Sequence, residues 1–167
     1  MLISVAIPAF NEEKLLPQTL AAVKKAQTAF TERGWETEVV ICDNNSTDAT
    51  AKLAEAAGAR VVFEPVNQIS RARNAAGNAA RGDWIVFLDA DSTPCPALMG
   101  RMATLMEDQA VIGAGVQITM KDISLGGRVG ILFWNTVSRL FRWPAGSFIL
   151  CRAEAFRKLD GFSENLY

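Results

Sequence analysis

The chain has 167 residues, of which 50% are hydrophobic, enough apolar material for one ordinary domain with a single core. Its 17 Lys and Arg against 18 Asp and Glu leave a formal charge of −1, which excludes a global field drawing it to nucleic acid or an anionic surface. Histidine is absent, so imidazole bases, His-dependent triads and His-ligated zinc are excluded, and carboxylates must carry any acid–base or metal chemistry.

The first apolar run, Leu2–Ile7, reads as a strand. It leads through Pro8-Ala9-Phe10-Asn11-Glu12-Glu13 into a helix expected over Glu12–Arg33, with Asn11 as N-cap and Gly34 as stop. A second strand, Glu38–Cys42, passes through the polar loop Asp43-Asn44-Asn45-Ser46-Thr47-Asp48 into a helix over Thr47–Ala57 that ends before Gly58. Strand Ala59–Phe63, helix Ser70–Ala80 and strand Trp84–Leu88 follow. Short β-branched runs without polar alternation, separated by helices, are the βαβ pattern of a parallel sheet buried on both faces.

Regular alternation is lost after Pro94–Pro96. Here the sequence predicts a helix at Pro96–Glu107, a strand at Val111–Met120, a glycine joint at Gly126, Gly127 and Gly130, and an aromatic helix at Ile131–Trp143. Strand Ser147–Cys151 and helix Ala153–Leu159, closed by Gly161, complete it. The change of texture divides one α/β domain into two parts, 1–93 and 94–167.

Asp89 and Asp91 stand one residue apart at the C-terminal end of the Trp84–Leu88 strand, the edge at which open α/β sheets bind ligands. On an extended segment such residues point the same way, so the carboxylates can converge on one hard cation or divide between a cation and a ribose. The same triplet occurs in solvated turns, and its place after a strand singles it out. Asp43 also ends a strand and is placed to accept a hydrogen bond from a nucleobase, whereas Asp48 suits electrostatic capping of the next helix. Arg71 and Arg73 open a helix against its dipole, which a nearby anion or base would explain. In Ile131–Trp143, Phe133, Trp134, Val137, Leu140 and Phe141 recur at helical spacing beside Arg139 and Arg142. That pattern suits peripheral contact with a membrane or a greasy acceptor site, and its alternative is a helix packed in the core.

Taken in order, Pro8-Ala9-Phe10-Asn11-Glu12, Asp43 to Asp48, Ala72-Arg73-Asn74 and Gly82 to Asp91 resemble glycosyltransferase family 2 in motif and spacing. The run from Ala145-Gly146-Ser147-Phe148 to Gly161-Phe162-Ser163-Glu164 is similar to that family's acceptor-side signature. The resemblance implies a GT-A fold, a Rossmann-like, mostly parallel sheet flanked by helices. It also implies a nucleoside-diphosphate sugar as donor, a Mg²⁺ or Mn²⁺ ion, and a division of the single domain into a nucleotide-sugar-binding part, 1–93, and a partial acceptor-binding part, 94–167. By position, Pro8, Ala9, Phe10, Glu12 and Asp43 would line the nucleoside pocket with Arg73 beside it. Asp89, with Ala90, would face the ribose, and Asp91, with Asp89, the metal.

Three departures accompany the resemblance. Ala76 stands where the family often has Gly, and Asn44 where a second Asp is frequent, although Asn can still accept a hydrogen bond. Family members also continue past Gly-Phe-x-Glu to an acidic pair that deprotonates the acceptor, so the catalytic base is expected beyond Tyr167. Glu164 and Asp160 are the nearby substitutes, each better suited to a turn or a helix end. The expected activity is inverting transfer of a sugar to an acceptor hydroxyl or amine. Its alternative is a sugar-nucleotide-binding module or inactive fragment without the base. A nucleotidyltransferase would want a Gly-rich basic loop after the first strand, which Phe10-Asn11-Glu12 is not.

Cys42, Cys95 and Cys151, odd in number and widely spaced, read as structural thiols of a reducing compartment. Met1–Pro8 lacks a signal-peptide pattern and no apolar run approaches the roughly 20 residues of a membrane span. The expectation is a cytoplasmic chain, with any membrane association resting on Ile131–Trp143.

Overall fold

A computed structural model describes residues 1–116, 124–141 and 148–166. Strands β1 (Leu2–Ala9), β2 (Glu36–Asp43), β3 (Arg60–Phe63) and β4 (Trp84–Leu88) run parallel, and β5 (Gly113–Gly115) and β6 (Phe148–Arg152) extend the sheet beyond β4. The strand order is β3-β2-β1-β4-β6-β5, with β6 antiparallel to both its neighbours. The expected mostly parallel sheet is present.

Alternate residues of each central strand feed opposite faces, and both faces are apolar. Ile3, Val5, Ile7, Trp84, Val86 and Leu88 pack on one side with helices α1 (Leu16–Ala26), α2 (Thr28–Thr31) and α5 (Pro96–Glu107), which contribute Leu16, Val23, Phe30, Met99 and Met102. Ala6, Val40, Cys42, Ile85 and Phe87 pack on the other with α4 (Ile69–Ala79) and α7 (Ala153–Lys158) through Ala72, Ala76 and Phe156. At Gly77 of α4 a Cβ would lie 2.6 Å from the Phe156 ring and 2.9 Å from that of Phe87, so glycine here allows helix and sheet to close. Between β2 and β3 runs α3 (Thr50–Ala56), and α6 (Leu125–Phe141) precedes β6.

Several boundaries differ from expectation. The helix predicted over Glu12–Arg33 begins at Leu16, with Pro17 in its first turn, and gives way at Gln27 to α2. Asn11 is not its N-cap, since Leu15 holds that position and Asn11 has φ 55, in the left-handed region. Residues 11–13 are drawn instead toward the loop after β2, which also delays α3 to Thr50. The described part of the Val111–Met120 strand is reduced to β5, and 117–120 lie outside the described residues, as does Ser147. The glycine joint is helical: α6 starts at Leu125 and runs through Gly126, Gly127 and Gly130 to Phe141, with Arg142 and Trp143 outside the described residues.

Candidate functional site

β1 and β2 end in register at Ala9 and Asp43, and β4 ends beside them at Leu88. Because the three strands are parallel, their following loops gather at one sheet edge around a cleft of about 320 Å³. Pro8 and Ala9 come from the end of β1, Phe10 and Glu12 from the loop after it, Asn44 from just beyond β2, Ile69 and Ala72 from α4, and Asp89, Ala90 and Asp91 from the loop after β4. A larger groove of about 830 Å³ lies between α1 and α3, toward the opposite ends of the strands. Its Arg60 and Glu38 already pair at 3.3 Å, and nothing in it resembles a reactive constellation, so the smaller cleft is the candidate.

The two aspartates of that cleft are not equivalent. Asp89 Oδ1 lies 2.8 Å from Arg73 Nη2, while Arg73 also sits 5.7 Å from the centroid of Phe162 and has its Nε buried without a partner among the described residues. Asp91 is exposed and makes no side-chain hydrogen bond or ion pair among the described residues. Its charge is felt by a neighbour. Burial first, and then Asp91 and Asp48, push the Glu12 carboxyl above the ordinary glutamate range. Glu12, Asp48 and Asp91 thus bring like charges near one another at this edge. An exposed carboxylate has the hard oxygen donors that ions such as Mg²⁺ or Mn²⁺ take. Among the described residues no group of three or more His, Cys, Asp or Glu side chains is placed to hold a metal ion.

Hydrogen bonds between loops hold the cleft. Asn11 N–H donates to Ser46 Oγ at 3.0 Å, and Asn11 Oδ1 accepts the Thr47 N–H at 2.8 Å. Glu12 N–H donates to Thr50 Oγ1 at 2.8 Å, Glu13 N–H to Asp48 Oδ2 at 3.1 Å, and Glu13 Oε2 accepts the Ala49 N–H at 3.1 Å. Asp48 also accepts the Thr50 N–H at 2.9 Å at the start of α3, the capping expected of it. The β4 loop is pinned from below, where the buried Thr19 hydroxyl donates to the Ala90 carbonyl at 2.6 Å.

Asp43 lies at this edge but is 6% exposed, and its Oδ1 accepts the Ser46 N–H at 3.3 Å; the neighbouring wall of the cleft is Asn44. The anions that the two arginines call for belong to the protein itself. Arg71 pairs with Glu64 at 3.1 Å and Glu164 at 3.0 Å, and Arg73 with Asp89. Glu164 is further held by Asn74 Nδ2 at 3.0 Å, while Asn74 both donates to the Phe162 carbonyl at 2.9 Å and accepts its N–H at 2.8 Å. This close approach explains Gly161, whose φ is +75 and whose added Cβ would lie 2.4 Å from Asn74 Oδ1.

The sequence does not point to Thr19, and it places Asn74 and Asn44 in motifs without revealing the bonds their amides make. Thr19 carries no local signal, since a threonine in a helix is unremarkable until its acceptor 71 residues away is known.

The family model for glycosyl transferase family 2 matches residues 4–162. The chain belongs to this family. Among its relatives, an undecaprenyl-phosphate 4-deoxy-4-formamido-L-arabinose transferase of Pseudomonas fluorescens is 31% identical over 128 residues, covering 72% of this chain and 35% of that protein. An uncharacterized glycosyltransferase of Mycobacterium tuberculosis is 36% identical over 91 residues, covering 54% of this chain and 37% of that one. The fold is that of GT-A glycosyltransferases. The mannosyltransferase PcManGT from Pyrobaculum calidifontis, solved with GDP-Man and Mn²⁺, superposes with a TM-score of 0.74 at 20% identity, covering 98% of this chain and 48% of that one. This family 2 chain thus spans about a third of these curated relatives and about half of the solved chain.

Proposed function

We propose that the cleft binds a nucleoside-diphosphate sugar and that the chain takes part in inverting transfer of the sugar to an acceptor. The observation that carries this reading is the unequal aspartate pair: Asp91 without a partner among the described residues and Asp89 paired with Arg73 at the ligand-binding edge of the sheet. Asp91, with Asp89 beside it, would hold a Mg²⁺ or Mn²⁺ ion, which supplies positive charge to the leaving diphosphate. Pro8, Ala9, Phe10 and Glu12 form one wall for the nucleoside. Asp89 and Ala90 face the ribose, Arg73 fixes the orientation of Asp89, and Asp43 supports the base-side loop from beneath. Residues 1–93 would then carry the donor and 94–167 part of the acceptor side. The nucleotide sugar and Mn²⁺ of the mannosyltransferase complex support the donor and metal assignments by analogy of fold.

An inverting transfer needs a carboxylate to take the acceptor proton. Glu164 is committed to Arg71 and Asn74, which supports a structural role for it, and we assign the base to no described residue. Calorimetry with UDP and GDP, with and without Mn²⁺, tests the donor reading: metal-dependent binding of at least one is expected, and binding of neither would sink it. A chain that binds nucleotide yet transfers no sugar would be a binding module.

A second reading concerns α6. Leu132, Phe133 and Leu140 are 71%, 69% and 75% exposed, whereas Ile131, Asn135 and Ser138 on its other side are half-buried. The helix therefore turns its apolar face outward. The sequence from Ser124 to Arg152 carries Arg128, Arg139, Arg142 and Arg152 and no acidic residue. Outward apolar side chains in a cationic segment support peripheral contact with an anionic lipid surface. The lipid phosphate in the name of the Pseudomonas relative fits an acceptor held there. No helix among the described residues is long and apolar enough to cross a membrane, so the contact would be interfacial. Co-sedimentation with phosphatidylglycerol vesicles should be lost in Phe133→Glu, and equal recovery of both proteins would refute the contact.

A further inference from the structure

Asn44 is 5% exposed at the end of β2, where its N–H donates to the Ala9 carbonyl at 2.8 Å. Its side chain reaches across to the loop between β3 and α4. Nδ2 donates to the carbonyls of Glu64 at 3.0 Å and Val66 at 2.6 Å, and Oδ1 accepts the Gln68 N–H at 3.1 Å. Two carbonyls face one end of the amide and an N–H the other, which fixes its orientation. An amide can donate twice and accept at once. A carboxylate in its place would set an anion against two carbonyl oxygens and leave both without a donor.

The latched loop runs directly into the wall of the cleft. Gln68 is the N-cap of α4, with extended backbone at φ −149 and ψ 126, and the next turn carries Ile69 and Ala72, which line the cleft opposite Pro8 and Ala9. The bonds of the Asn44 side chain are thus among the ties that set where this wall stands relative to β1. The loop is also tied by the Glu64 N–H to the Asp43 carbonyl at 3.0 Å and by Gln68 Nε2 to the Glu164 carbonyl at 2.7 Å, while the Glu64 carboxylate pairs with Arg71, which belongs to α4 and moves with it.

We propose that Asn44 is a positioning residue for the donor: its amide latches residues 64–68 so that Ile69 and Ala72 stand at the spacing a nucleoside requires. The proposal rests on the reading of the cleft as the donor site. It is tested by calorimetry of UDP and GDP in Mn²⁺ on the wild-type chain, Asn44→Asp, Asn44→Ala and Val23→Ala, the last a core change on the opposite face of the sheet that lowers stability without touching the cleft. Both Asn44 variants should bind about tenfold more weakly or worse, a loss of about 1.4 kcal/mol, with faster amide exchange at Gln68. Val23→Ala should bind like the wild type. If Asn44→Asp fails to fold, Asn44→Ala carries the comparison. Unchanged affinity in folded Asn44→Ala overturns the latch, as does an equal loss in Val23→Ala, which would trace the effect to stability. A wild-type chain that binds neither nucleotide overturns the donor reading itself.

Discussion

Arg73 holds Asp89 at 2.8 Å, and Asp91, two residues on, has no such partner among the described residues. The same change should therefore act differently at the two positions. Asp89→Asn leaves the largely buried Arg73 without its counter-ion and should cost about 1–3 kcal/mol of stability before any ligand is added. Asp91→Asn should leave the apo protein as stable as before and weaken Mn²⁺-dependent nucleotide binding by at least about 1.5 kcal/mol. Chemical denaturation and calorimetry on both variants check this, and a destabilised apo Asp91→Asn would contradict the assignment.

Thr19 supports the same loop from beneath. Thr19→Val preserves shape but leaves the buried Ala90 carbonyl without its donor, so a loss of about 1–3 kcal/mol is expected. Nucleotide affinity should fall as well, because Ala90 lies between the two aspartates. Retained stability in urea titrations would show that the carbonyl finds another partner.

Glu12 gives a pH dependence of defined sign. Its carboxyl is raised by burial, then by Asp91 and Asp48, so between the unfolded and folded values the native state binds more protons. Its contribution to stability is present at low pH and is lost as pH rises through the folded value. Glu12→Gln should raise the apo melting temperature at pH 7–8 by about 1–2 °C and change it little near pH 4. Mn²⁺ should reduce the difference by balancing Asp91. Scanning fluorimetry across pH reads both effects, and a gain that grows toward low pH would reverse the sign argued here.

The cysteines should separate by environment. Burial pushes the Cys151 thiol up to about 11, and burial followed by Glu64 and Asp43 pushes Cys42 up to about 12, whereas Cys95 is exposed. At pH 8, alkylation should modify Cys95 alone in the folded chain and reach the others on unfolding. Mass spectrometry of the native protein showing a second fast site would exclude this.

The central strands were legible because runs such as Val5–Ile7 and Trp84–Leu88 are apolar at every position, as burial on two faces requires. Asp89 and Asp91 were legible for the same reason, since a buried strand fixes where its polar end emerges. The loops were not. Asn11 looks like a helix cap, but its partners are Ser46 and Thr47, and Asn44 looks like a weakened aspartate until Glu64 and Val66 are placed against it. Arg71 meets Glu164 across 93 positions. Such contacts are decided by tertiary placement, on which local propensity is silent. The inward half of α6 was likewise unreadable, because periodicity reveals that a helix has two faces and not which of them points away.

The stitching of residues 11–13 to residues 46–50 has a bearing on how this protein can be altered. Each loop supplies both donors and acceptors to the other, so a mismatched partner strands polar groups on either side. A segment borrowed from a relative to change the preferred nucleotide would have to bring its opposite number with it. Recombination between β1 and β2 should then give few working chimeras, while crossover after Thr50 leaves the pair intact. In this part of the chain the smallest unit that can be exchanged whole is two loops long.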